Sequence, residues 1–213
     1  MSGLAGAGAA AKKKALHAAE RDTPRVQHAR REYQHEIGPR EVKRGKFVDE
    51  SGINLALTRL DGRAPRGERA VGSVPQNYGV NVTLLGALSR GGLEAPMTVE
   101  GASDGEVLSA YVTHVLGPTR KRGDIVVMDN LRAHKVSGIR EALEARGAKL
   151  LYLPPFSPAR SPIERCWSKL KTALRARGAR TRRALERALK QALPTITKAD
   201  AVAWFAHCGY KVN

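Results

Sequence analysis

Residues 124–138 read DIVVMDNLRAHKVSG. Four apolar residues in a row, Ile125 to Met128, stand between two acids. Such a run suits a central strand buried on both faces, as in a sheet covered by helices. The run ends on Asp129, which admits two readings. It is a ligand held at the end of a buried strand, or a loop-opening residue whose side chain closes an Asx-turn.

The flanks of this strand set the fold class. Downstream, SGIREALEARG (137–147) reads as a helix closing on a glycine, and KLLYLP (149–154) as a strand stopped by two prolines. Three helices follow at 161–178, 180–193 and 198–210. Upstream, strands are expected in KFVDESGINLAL, at 80–89 and at 96–99, and a helix at 104–116. DGRAPRGERAVG between the first two strands is a turn-rich, basic connection. Strands first, then alternating helices and strands, predict an α/β domain: a mixed sheet with helices on its faces.

This compact domain spans 46–210. Residues 1–45 read as a flexible basic N-terminal arm or linker. Its first residues are Gly/Ala-rich, and 12–37 form one or two polar helices broken near Thr23-Pro24. No apolar run reaches membrane-spanning length, and the N-terminus lacks the order of a signal peptide. Cys166 and Cys208 form no CxxC pair and belong to no zinc-spaced cluster, so reduced structural thiols in a cytosol are expected.

The formal net charge is +17. It is concentrated in two zones. Residues 160–190 hold eleven Lys/Arg against two acids, a net of +9, and 1–46 hold eleven against five, a net of +6. A polyanionic partner fits, since each neutralised phosphate releases counterions. Nucleic acid is the reading adopted; ribosomal or anionic-membrane binding and a plain solvated surface are the rivals.

Three acids stand out against this basic background. Asp49 ends the apolar start of the first strand, Asp129 ends the buried strand, and Glu164 lies in the first turn of the helix opening at Pro162. Carboxylates suit Mg²⁺ or Mn²⁺, which prefer hard oxygen ligands. Two such ions serve phosphodiester chemistry by activating the attacking oxygen and stabilising the leaving one. Each acid has a structural alternative. Asp49 is then a strand-end or turn residue, and Asp129 the Asx-turn residue above. Glu164 is the N3 member of a capping box with Ser161. Ile163, Trp167, Leu170 and Leu174 form an apolar stripe, which makes Trp167 core rather than a base-stacking platform. Glu164, Ser168, Lys171 and Arg175 form the polar line beside it.

Together FVDESG, VVMDNLRAHK and YLPPFSPARSPIERCWSKLK resemble the transposases of the IS630/Tc1/mariner superfamily, closest to the IS630 branch. GRAPRGERA and the terminal WFAHCGY agree, and the likeness covers roughly 12–210. The resemblance implies an RNase H-like fold with Asp49, Asp129 and Glu164 on the three catalytic, metal-holding positions. The 34 residues between the last two fit that branch. It also implies two Mg²⁺ (or Mn²⁺) ions and cut-and-paste movement of DNA into TA dinucleotides. Such relatives carry helix-turn-helix domains ahead of the catalytic domain, so 1–45 is read as the remnant of that region. An upstream helix-turn-helix polypeptide or frameshift fusion is then a candidate partner, as is a second copy in a homodimer. The setting implied is the bacterial cytoplasm at the nucleoid. Contacts to DNA are assigned to Arg165, Lys169, Lys171 and Arg175. Arg66 and Arg69 are further candidates, with a plain surface loop as the alternative. His134 and Lys135 either touch the scissile phosphate or form an ordinary loop pair. An RNase H-like nuclease without joining activity and a DNA-binding remnant are the rival functions.

Overall fold

The computed structural model describes residues 18–38, 42–130 and 137–212. A short 3₁₀ turn, Ala19–Asp22, precedes helix α1 (Pro24–Glu36). Strands β1 (Gly45–Ile53), β2 (Val82–Ser89) and β3 (Gly92–Glu100) follow. Helix α2 (Gly105–Ala110) runs on into a π-helical turn, Tyr111–Leu116. Then come β4 (Ile125–Met128), α3 (Ile139–Glu144) and β5 (Lys149–Tyr152). Helices α4 (Pro162–Arg177), α5 (Arg182–Ala192) and α6 (Lys198–His207) complete the chain.

The five strands form one sheet in the order β3-β2-β1-β4-β5. β1, β2 and β3 pair antiparallel, whereas β4 is parallel to both β1 and β5. This is the mixed sheet expected from the sequence. β3 starts four residues before the predicted 96–99. Pro96 has no N–H to give the ladder, and a bulge with Ala95 at φ 50° absorbs it, so pairing resumes on both sides.

Side chains alternate across the sheet and build two cores. Phe47, Leu84, Leu88, Val127 and Leu151 face α4, α5 and α6. Val48, Leu85, Val126, Met128 and Leu150 face α2 and α3. α4 presents Ile163, Trp167, Leu170 and Leu174 to the first core, as its apolar stripe requires. It starts on Pro162 and stops at Gly178, whose φ of 54° ends the helix in the left-handed region.

Helix α1, inside the expected arm 1–45, packs onto the domain. Val26, Tyr33 and Ile37 are buried, and the last two join the α4-side core. The Tyr33 and Tyr210 hydroxyls lie 2.9 Å apart, and Tyr210 Oη also donates to the Arg160 carbonyl at 2.7 Å. A hydroxyl has one proton, so Tyr33 donates to Tyr210. Phe47 packs edge-on against Phe205, ring centroids 5.3 Å apart. The residues of WFAHCGY are thus structural: they fasten α1 and the approach to α4 onto the sheet. Cys166 and Cys208 are both free and buried, and burial pushes the Cys166 thiol up to about 12. Among the described residues, no helix is long and apolar enough to cross a membrane.

Candidate active site

Asp49 lies in the middle of β1 rather than at its end. It shares the parity of Phe47, so its carboxylate faces α4. There Trp167 Nε1 donates to Asp49 Oδ2 at 3.0 Å. The indole reaches it because Gly86, the residue opposite Asp49 in β2, has no side chain. A Cβ at Gly86 would meet Trp167 Cη2 and Leu93 Cδ1, each at 3.0 Å. Burial, and then the nearby Glu164 charge, raise the Asp49 carboxyl to about 7.

Asp129 follows β4 directly. The parallel register pairs Gly45 with Ile125 and Phe47 with Val127. Continuing that offset by two residues brings Asp129 level with Asp49. Glu164 comes from the other side, exposed in the first turn of α4. The anticipated capping box with Ser161 does not form: Ser161 makes no side-chain cap bond. Its backbone N–H, which a capping glutamate needs, is given to the Pro158 carbonyl at 2.9 Å in the preceding 3₁₀ turn. Glu164 therefore sits at a helix N-terminus, favourable for an anion, with its carboxylate toward the cleft.

All three acids line one cleft of about 790 Å³. The segment Leu153-Pro154-Pro155-Phe156-Ser157-Pro158 and Arg25 of α1 line the same cleft. Among the described residues, no three of the His, Cys, Asp and Glu side chains stand close enough to hold a single ion together. The donor chemistry fits a hard divalent cation; the spacing is wider than one shared ion requires.

The basic candidates fare unequally. Lys169 Nζ pairs with Asp200 at 2.6 Å and donates to the Thr195 carbonyl at 2.9 Å, which holds α6 against α4. Arg165 is hydrogen-bonded to His207 of α6. Both therefore have structural partners on α6. Lys171 and Arg175 stay partly exposed on α4. Arg66 and Arg69 are exposed in the long connection 54–81, which has no regular structure, and they do not line the cleft. His134 and Lys135 lie outside the described residues.

Sequence reasoning missed three contributors. Arg25 had no signal beyond its place after Thr23-Pro24. Gly86 looked like an ordinary strand residue. Trp167 was assigned correctly to the core, where it is 3% exposed, but its bond to Asp49 was not foreseen.

The family model described as DDE superfamily endonuclease matches residues 46–186. No curated protein sequence matches the chain. Among solved structures, the Mos1 strand transfer complex aligns at 15% identity and a TM-score of 0.69, covering 95% of this chain and 63% of that one. The mariner Mos1 paired end complex with Mg aligns at 13% and 0.71, covering 95% and 65%. The Mos1 mariner catalytic domain aligns at 13% and 0.61, covering 93% and 98%. At such identities the likeness is one of fold, the RNase H-like fold of a transposase catalytic domain. The chain spans less than two thirds of the Mos1 chain in both complexes.

Proposed function

Since the chain belongs to the DDE superfamily endonucleases, we propose that it cleaves DNA phosphodiesters and joins the freed end to target DNA, as a cut-and-paste transposase of the IS630 branch. The observation that carries this reading is the convergence of Asp49, Asp129 and Glu164, from three separate elements, on one cleft.

Asp49, Asp129 and Glu164 would hold Mg²⁺ or Mn²⁺, two ions in the full reaction. Bound there, such ions activate the attacking oxygen and offset charge on the leaving one. The protein's own groups do the rest. The Trp167 indole fixes the Asp49 carboxylate, and second-sphere bonds of this kind orient ligands. Arg25, which lines the cleft, offers a planar cation to a phosphate oxygen. A water oxygen attacks phosphorus and the 3′-oxygen leaves, taking up a proton. That 3′-OH then gives up its proton and attacks a target phosphodiester in line: its oxygen joins the phosphorus of the target 5′ end, and the target 3′-oxygen leaves as a 3′-OH.

The fuller reading includes insertion at TA dinucleotides, a second copy of the chain, a helix-turn-helix partner, separate or fused, and a nucleoid setting. It is tested with a terminal-repeat duplex and Mg²⁺. The wild type should nick it and join a pre-cut end, and Asp49→Asn, Asp129→Asn and Glu164→Gln should each abolish both. Full activity in any one removes that residue from the site; nicking without joining would favour a simple nuclease.

A further inference from the structure

A second pocket, of about 480 Å³, lies beside the carboxylate cleft and gathers Arg21, Arg30 and Arg160. The two hollows share one wall, Phe156-Ser157-Pro158. Arg30 is pinned to that wall: its Nε donates to Ser157 Oγ at 2.9 Å and its Nη2 to the Phe156 carbonyl at 2.8 Å. Phe156 is in the left-handed region at φ 54°, uncommon for a bulky residue, and the residue is 44% exposed. Arg160 donates through both Nη atoms to the Gln34 side-chain oxygen, at 3.1 and 2.8 Å, with that amide oriented by its partners.

These acceptors are all neutral. Among the described residues no carboxylate forms an ion pair with Arg30 or Arg160, and the exposed Arg21 meets Asp22 only at 3.9 Å. The three cations repel each other. Burial, then Arg21, then Arg160 hold the Arg30 guanidinium below its usual range, with the Asp22 carboxylate opposing them in part. An oxyanion would turn this repulsion into charge-assisted, bidentate hydrogen bonds.

We propose that Arg21, Arg30 and Arg160 form a phosphate subsite that grips the backbone of the DNA strand one wall away from the carboxylates. The proposal rests on the endonuclease reading above. A strand lying in the cleft passes over the Phe156–Pro158 wall, so a phosphate to one side of the reacting one enters the arginine pocket. The wall then acts as a spacer that sets which phosphodiester faces the acids.

The test uses the full chain and a fluorescent duplex, with Arg21→Gln/Arg160→Gln as the main variant. Arg30 is left in place because it anchors the wall. The double variant should bind about tenfold more weakly, and its log K against log salt slope should shrink by about 0.9 per lost contact. In Mg²⁺-dependent nicking, KM should rise while kcat holds. A neutral methylphosphonate at one linkage should weaken wild-type binding equally and add nothing in the variant. Unchanged affinity and slope in the variant, with a wild type that binds and cleaves, overturns the subsite alone. No binding or cleavage by the wild type overturns the endonuclease reading. Inorganic phosphate that protects the pocket while no methylphosphonate position responds would make it a free-phosphate site and overturn the DNA assignment.

Discussion

Trp167 donates its indole N–H to the Asp49 carboxylate across 118 positions of chain, at 3.0 Å. This bond joins β1 to the helix that carries Glu164, so two of the three acids are set by one packed side chain. Trp167→Phe keeps most of the apolar bulk and removes the donor. It should leave the fold intact and reduce Mg²⁺-dependent cleavage about 10–100-fold, the usual effect of losing a partner behind a metal ligand. Circular dichroism checks the fold and a nicking assay the rate. Wild-type rates in Trp167→Phe would make the bond incidental.

The Asp49 carboxyl is raised from 3.8 to about 7. A carboxyl raised in the folded state favours folding fully below its unfolded value, and that contribution is lost as pH rises through the folded one. Metal-free wild type should therefore lose stability between about pH 4 and pH 7 relative to Asp49→Asn, which carries no such titration. The gap should reach on the order of 2–4 kcal/mol at pH 8, reduced by solvent in the open cleft. Thermal melts of both proteins in chelator across this range measure it. A pH-independent gap would contradict the assignment of burial and Glu164 as its cause.

Gly86 is where the strand yields to the indole. In Gly86→Ala the new methyl would press on Trp167 and Leu93 at 3.0 Å. Both are packed against the sheet, so overpacking should cost about 1–3 kcal/mol. The displaced indole should also release Asp49, so activity should fall more than stability explains. Comparing Gly86→Ala with Leu93→Ala/Gly86→Ala separates the two effects: the second relieves one clash but not the one on Trp167. Equal activity in both, at the wild-type level, would show that the indole has room to move.

Much of this site is written in local pattern, and the rest is not. β4 is legible because four apolar residues between acids have few other uses, and Asp129 follows from it. The α4 stripe is legible because its period is helical. What escapes is whatever depends on how elements dock. Ser161 and Glu164 spell a capping box, yet the Ser161 N–H is already given to Pro158, a bond made by the turn before the helix. α1 reads as an arm because its apolar residues are few, but Tyr33 reaches Tyr210, which lies 177 positions away. Lys169 falls in a basic row on α4, yet its partner Asp200 sits on α6.

That last pairing separates two kinds of lysine on α4. Lys169 touches Asp200 and Thr195, and Lys169 and Thr197 together hold the Asp200 carboxyl well below the usual range, at about 2. Its charge is largely balanced before any DNA arrives, so Lys169→Gln should leave the salt dependence of DNA binding almost unchanged. It should instead loosen the contact between α4 and α6, which a lower melting temperature would report. Among the described residues no acid forms an ion pair with Lys171, and Lys171→Gln should lower the salt slope by about 0.9 if it meets a phosphate. Anisotropy titrations of both variants over a range of salt decide the matter. A slope that drops in Lys169→Gln and holds in Lys171→Gln would mean that DNA opens the Lys169–Asp200 pair.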